Sequence, residues 1–394
     1  MSFVARFGLW AALLRALSPD DVGRYGLVTA SAQLGIVILG LEYYNATTRM
    51  LPVASTAVRA ALLREQMLLH GATYALVTTA TLVAAAAGFP ALPFAPLVIG
   101  LFVLEHFSHE LSRLLIAVGH PLAANVAVFL RTGLWPLLIT VWVVGAGQAV
   151  TLSAVLITWA TAGLVAAAFS FVLLRHSFQA PEKPVELQLR RVYAGLQSAV
   201  PFALSAACVV LANQAPRYFL GLSGQLAAAG TFAFLSATVL SLEGLVQAAF
   251  VSHHLPDLLR SEAHRSADGG NVRQRMTRGI VLTTSIGTAL LIPAIMVIAR
   301  FTERSDITAN PAVPALLLMG GFLSTGSLPW HYRLYSAHRD RTILQIHAIW
   351  FLSAIAGYWL LVPMFGLLGA ALAYALSTVA LTAGRLTAAR VYDG

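Results

Sequence analysis

Lysine is nearly missing from this chain: Lys183 is the one exception among 25 basic residues, the rest being arginine. Cysteine is as scarce. The single Cys208 excludes an intrachain disulfide framework and a cysteine-rich metal site, and in its apolar surroundings it reads as a small packing residue. Charge is thin, at 10% of 394 residues against 58% hydrophobic, with a mean hydropathy of +0.77. No water-soluble globular domain of this length needs so apolar a composition. The alternating strands of a membrane barrel are missing, as is a phosphate-cradling glycine loop, which excludes ATP as a direct energy source. No nucleophile–base arrangement argues for an enzyme.

What remains is a series of apolar runs of about 20 residues, each long enough to cross a hydrocarbon core of about 30 Å as a helix. The fold class is therefore all-α, a polytopic membrane protein. Its formal charge of +9 sits chiefly at the ends of these runs, which fits membrane topology and not nucleic-acid binding.

Twelve spans are predicted, at about 3–17, 26–44, 68–89, 95–118, 122–144 and 150–174, then 193–212, 225–251, 279–298, 313–330, 343–361 and 365–386. The first is short and carries Arg6 and Arg15. Either it crosses with help from its neighbours or it is part of a longer helix. Ser18 and Pro19 open the second helix as cap and first residue. Pro181 and Pro184 mark a polar linker. The division is an N-terminal six-helix bundle over 1–174, a cytoplasmic linker over 175–192 and a C-terminal six-helix bundle over 193–394. Arginines crowd one set of loops, including those with Arg59, Arg64, Arg190, Arg273 and Arg339, and Arg385 belongs to the same set. The other set holds Arg24, Arg217, Arg300 and Arg304. That excess places both termini and the linker in the cytoplasm.

Two short matches suggest a duplication: Leu39-Gly40-Leu41-Glu42 with Leu240-Ser241-Leu242-Glu243, and Gly119-His120-Pro121 with Ala337-His338-Arg339-Asp340. With six helices each, the halves would be parallel repeats, an arrangement that binds substrate between them.

Residues 94–145 carry charge where a spanning chain tolerates it least. Glu105, His106, His109, Glu110 and Arg113 fall within an arc of roughly 140° on one helix, and Arg131 lies inside the next. Glu105 is about 16 Å from the start of its helix and Arg131 about 14 Å from the start of its own. Both come near the midplane, where a charge costs at least about 2.5 to 3.5 kcal/mol and needs a partner or a wet cavity. Glu105 and Arg131 are expected to pair across a polar cavity; a pair that only pins two helices together is the alternative. His106 and His109 are one turn apart, but no further ligand supports a metal.

Several stretches also resemble a known family. Residues 16–26, the helix from Glu105 to Arg113 with its Gly119-His120-Pro121-Leu122-Ala123-Ala124-Asn125 continuation, Phe129-Leu130-Arg131, and Arg217-Tyr218-Phe219-Leu220-Gly221 are similar to the Wzx-type polysaccharide-biosynthesis flippases of the multidrug/oligosaccharidyl-lipid/polysaccharide exporter superfamily. The likeness runs over essentially the whole chain. It implies movement of undecaprenyl-pyrophosphate-linked oligosaccharide units across a bacterial inner membrane by alternating access, alongside glycan polymerase or glycosyltransferase partners. For such a headgroup the substrate-binding residues would be Arg6, Arg15, Arg131, Glu105, His109, Arg113 and Arg49, arginine suiting phosphate by its planar donors and permanent charge. Glu42, Glu105 and Glu243 are the acids through which a proton or sodium gradient would couple. Three alternatives stand beside this reading: a multidrug or cation antiporter of the same superfamily, a peptidoglycan-precursor flippase, and a membrane-embedded glycan polymerase.

Overall fold

Pro19 sits at the first position of a helix whose cap is Ser18: the Ser18 hydroxyl accepts from the Asp21 N–H at 3.2 Å and donates to the Asp21 carboxylate at 3.0 Å. Every element that the computed structural model describes is a helix. It describes residues 2–51, 54–87, 95–175, 188–251, 253–255, 257–258 and 269–393, without the side chains of 2–4, 49, 85, 95, 96, 269, 392 and 393. The linker predicted at 175–192 falls largely on 176–187, outside the described residues.

The helices are α1 (Ser2–Ala16), α2 (Pro19–Gly40), α3 (Tyr44–Met50), α4 (Thr56–Ala86), α5 (Ala95–Ala117) and α6 (Pro121–Gly145), then α7 (Leu152–Leu174), α8 (Leu189–Leu222), α9 (Leu226–Val251), α10 (Gly269–Phe301), α11 (Ala312–Ser336) and α12 (Asp340–Asp393). The described residues include no strand. Among the described residues, nine helices are long and apolar enough to cross a membrane. One of them, α12, is two spans: Gly366 adopts φ 53°, ψ −127°, a conformation open to glycine, and breaks the rod. With α1 and α5, the described residues hold a helical segment for each of the twelve predicted spans. Large apolar side chains left in the open, such as Leu76 at 69% and Trp359 at 67% exposure, fit a lipid-facing surface.

Several helices begin or end well outside the apolar windows. α4 starts at Thr56, twelve residues before the predicted Leu68, and α10 starts at Gly269, not at Gly279. Hydropathy stops at the first charges, whereas the backbone hydrogen-bond ladder continues past them.

By their packing the residues form two compact units, 1–12 with 31–203, and 13–30 with 204–394. In the first, α5 packs along α7 and α6 over a core that includes Leu62, Leu63, Leu111, Leu114, Leu115 and Leu174. In the second, α11 lies along α12 and α9, and Val246, Leu258, Met276, Ile280 and Leu328 close one end.

The two matches suggesting a repeat behave differently. At the end of α5, Gly119 (φ 93°) bonds back to Ile116 and His120 to Leu115; at the end of α11, His338 (φ 54°) bonds to Tyr335 and Arg339 to Leu334. These are the same helix closure. It recurs at Gly224/Gln225 and at Glu303/Arg304, so four of the described helices end in this way and the match is no mark of a repeat. Glu42 and Glu243 do not correspond locally. Glu42, which the run 26–44 places near the far end of the second helix, lies just beyond it, since the helix ends at Gly40 and Leu41 and Glu42 turn away with φ 49° and 52°, while Glu243 lies within continuous helix.

Candidate functional site

The first unit holds a buried polar ladder on α4 and α5. Glu105 and Arg131 form an ion pair with both side chains buried. The Arg131 guanidinium also lies 3.0 Å from His109 Nδ1, and the Trp159 indole donates to the second Glu105 oxygen at 3.1 Å. The Trp135 and Trp159 rings stack at 5.6 Å.

Arg131 is positioned by a backbone irregularity. Residues Leu130–Leu134 make a π-helical turn, and Pro136 follows. In the wider i−5 pattern the N–H of residue 136 would address the Arg131 carbonyl, but proline has none. The Trp135 indole takes its place, donating to the Arg131 carbonyl at 3.0 Å.

One turn on, α5 carries a second network. Glu110 accepts from Gln66 at 2.8 Å and from Arg113 at 3.1 Å, with His106 Nε2 at 4.0 Å. Tyr74 lies 2.6 Å from His106 Nδ1, and His70 stands edge-on to His106 at 4.8 Å. Arg113 lies over the Tyr44 ring at 3.8 Å. His106 and His109 therefore face different networks and share no ligand. Beyond them Glu65, buried, accepts from Arg191 Nε at 2.8 Å and NH2 at 2.6 Å, and from the Gln188 N–H at 2.9 Å.

The second unit holds further buried cations, among them Arg217 and Arg385. Arg217 is bonded to the Gly26 carbonyl, the Thr29 hydroxyl and the Ser236 hydroxyl at 3.0–3.3 Å. Arg385 is bonded to the Ser324 carbonyl and the Ser327 hydroxyl at 3.0 and 2.8 Å. His347 lies 2.7 Å from the Ser205 hydroxyl and stacks on His331 at 5.5 Å.

The residues expected from the sequence divide accordingly. Glu105, His109 and Arg131 come together, and Arg113 joins Glu110. Arg6 and Arg15 are exposed, Arg15 over the Phe301 ring at 5.2 Å. The side chain of Arg49 lies outside the described part. Glu42 accepts from Asn45 at 3.0 Å, and Glu243 accepts from Gln247 at 3.1 Å. Sequence reasoning passed over Glu65, Gln66, His70, Tyr74 and Glu110 as a group, and placed Arg385 in a flank when it is buried within a span. A signal was present: Gln66, His70 and Tyr74 recur every four residues and so share one face of α4. Among the described residues no three metal-binding side chains gather.

Fold and clusters together define a multi-pass helical membrane protein that carries buried ion pairs within its spans. Its fold is similar to that of MATE transporters of the MOP superfamily. A structure described as the inward-facing conformation of a multidrug resistance MATE family transporter aligns over 100% of this chain and 94% of its own, at TM-score 0.74 and 14% identity. An outward-facing counterpart aligns over 100% and 92%, at 0.61 and 13%. A MOP superfamily transporter from Pyrococcus furiosus, for which a reverse polarity of the binding pocket is described as suggesting a different function, aligns over 99% and 91%, at 0.55 and 14%. At these identities the likeness is one of fold, and these relatives are transporters. No family profile and no curated protein matches the chain.

Proposed function

We propose that this protein is an alternating-access exporter that moves a lipid-linked oligosaccharide, carried on undecaprenyl pyrophosphate, across a bacterial inner membrane with both termini in the cytoplasm. One observation carries the choice of an anionic substrate. In the first unit each buried acid of the spans has a guanidinium against it, Glu65 with Arg191, Glu105 with Arg131 and Glu110 with Arg113, while Arg217 in the second unit is held by neutral oxygens alone. The surplus charge inside the described helices is positive. A pyrophosphate headgroup is drawn to such an interior and an amphiphilic cation is repelled by it. A proton or sodium gradient supplies the energy, with Glu110 joining Glu42, Glu105 and Glu243 as acids that could bind the ion. Glycosyltransferases and a glycan polymerase are the expected partners.

Export of multidrug cations is the second reading, favoured by the full-length fold similarity to a multidrug transporter. Deletion separates the two. Accumulation of lipid-linked oligosaccharide on the inner leaflet with unchanged drug tolerance supports the first reading. An unchanged lipid pool with lowered tolerance to cationic drugs replaces it with the second.

A further inference from the structure

Glu110 is a buried acid that faces an unused nitrogen. Its two oxygens accept from Arg113 and from Gln66. Oε1 also lies 4.0 Å from His106 Nε2, an atom with no hydrogen-bond partner in a fully buried side chain. Glu105 differs, since Arg131 and the Trp159 indole take one of its oxygens each.

That gap points to one tautomer. A neutral imidazole carries a single N–H, and on Nε2 it would close on the carboxylate oxygen to about 3 Å. At 4.0 Å the two atoms stand lone pair against lone pair. The N–H is therefore assigned to Nδ1, donating to the Tyr74 hydroxyl 2.6 Å away. The other side of the ring is closed by the end of α2, where a methyl group at Gly40 would come within 2.6 Å of Nε2. What the pair lacks is one hydrogen between Oε1 and Nε2.

The titratable and charged groups described around the pair are His70 and Tyr74 of α4, His109 and Arg113 of α5, and Glu42 in the turn after α2, which acts on Glu110 through space. Nitrogen predominates among them. A hard metal cation takes oxygen ligands, and the Arg113 guanidinium repels it. Arg113, its side chain 26% exposed, marks the wet edge of the cluster.

We propose that Glu110 and His106 form a proton-binding site, in which the carboxyl takes a proton on Oε1 and donates it in a hydrogen bond to His106 Nε2. Binding forms one O–H bond and turns the carboxylate into a neutral acid; release breaks that bond and returns the proton to water. The site rests on the ion-coupled exporter reading for its use, and it names the proton as the ion and Glu110 as its carrier.

The test is infrared spectroscopy of the purified full chain in neutral detergent, with neither substrate nor gradient, as pH is lowered from about 8 to about 5. A C=O band of a protonated, buried carboxyl should appear in the parent and be missing in E110Q. In H106F the band should move to higher frequency, because the carboxyl has lost the nitrogen it donates to. Exchange of choline chloride for sodium chloride should leave the parent band unchanged. If E110Q does not fold, the shift in H106F decides. A band absent from the parent, kept in E110Q or unmoved in H106F overturns the site, and a band abolished by sodium overturns the proton as its ion. Each of these results leaves the exporter reading to its own deletion test.

Discussion

Trp135 and Trp159 stack with only 11° between their planes, and their two indole N–H groups serve opposite members of one ion pair, the Arg131 carbonyl and the Glu105 carboxylate. Charge, π-turn and aromatic stack form a single buried unit joining α5, α6 and α7. Its removal in parts should cost more than its removal whole.

Arg131→Ala leaves Glu105 buried without its cation and should destabilise the protein by about 3–5 kcal/mol. Arg131→Met with Glu105→Gln should recover most of that loss. Thermal unfolding of both single variants and the double variant checks this; additive losses would mean that the pair is not coupled.

Transport separates structure from function at the same pair. If the double variant folds and still exports, the pair is a helix clamp. If it folds and export falls at least tenfold, the charges meet substrate or ion.

Glu65 receives three donors from Gln188 and Arg191. Glu65→Gln should cost about 2–3 kcal/mol and loosen the start of α8 before the rest of the unit. Hydrogen exchange over residues 188–195 should rise at least tenfold, with α7 unchanged.

Asp306 lies in the loop between α10 and α11. Hydrogen bonds from Arg304 hold its carboxyl below the usual range, with the Thr231 hydroxyl adding to the effect and partial burial opposing it. A depressed acid gives stability that is full above its unfolded value, near 3.8, and is lost as pH falls through the folded value. Proteolysis at residues 302–311 should therefore accelerate below pH 3.8 in the parent and be fast at neutral pH in Asp306→Asn.

Gly366→Ala should destabilise by about 1–3 kcal/mol, because the left-handed break in α12 is denied to alanine and its methyl group would meet the Gln225 side chain, 2.6 Å away. Replacement by alanine of Gly71, whose helical position opens on empty space, should cause no loss.

The spans were legible because a chain that must satisfy its backbone in lipid writes each crossing as an apolar run. The Glu105–Arg131 pair was legible from depth, since two midplane charges on neighbouring helices need each other. The Glu110 network was less so. Gln66, His70 and Tyr74 lie in a helix whose charged start hides its true length, and their contacts with α5 are set by packing between helices. Arg385 was misplaced because hydropathy cannot tell a buried guanidinium near a span end from one in water. The turn at Leu41 and Glu42 is invisible in composition, neither residue favouring positive φ.

Two successive side-chain-bearing residues, Leu41 and Glu42, hold left-handed backbone where α2 gives way to α3. Each position costs of order 1–3 kcal/mol and persists because its surroundings fix it: Thr73 grips the Leu39 carbonyl, Asn45 holds Glu42, and a methyl group at Gly40 would strike His106. The histidine that faces Glu110 thus packs directly against the backbone that leads into the bend, where only glycine leaves it room.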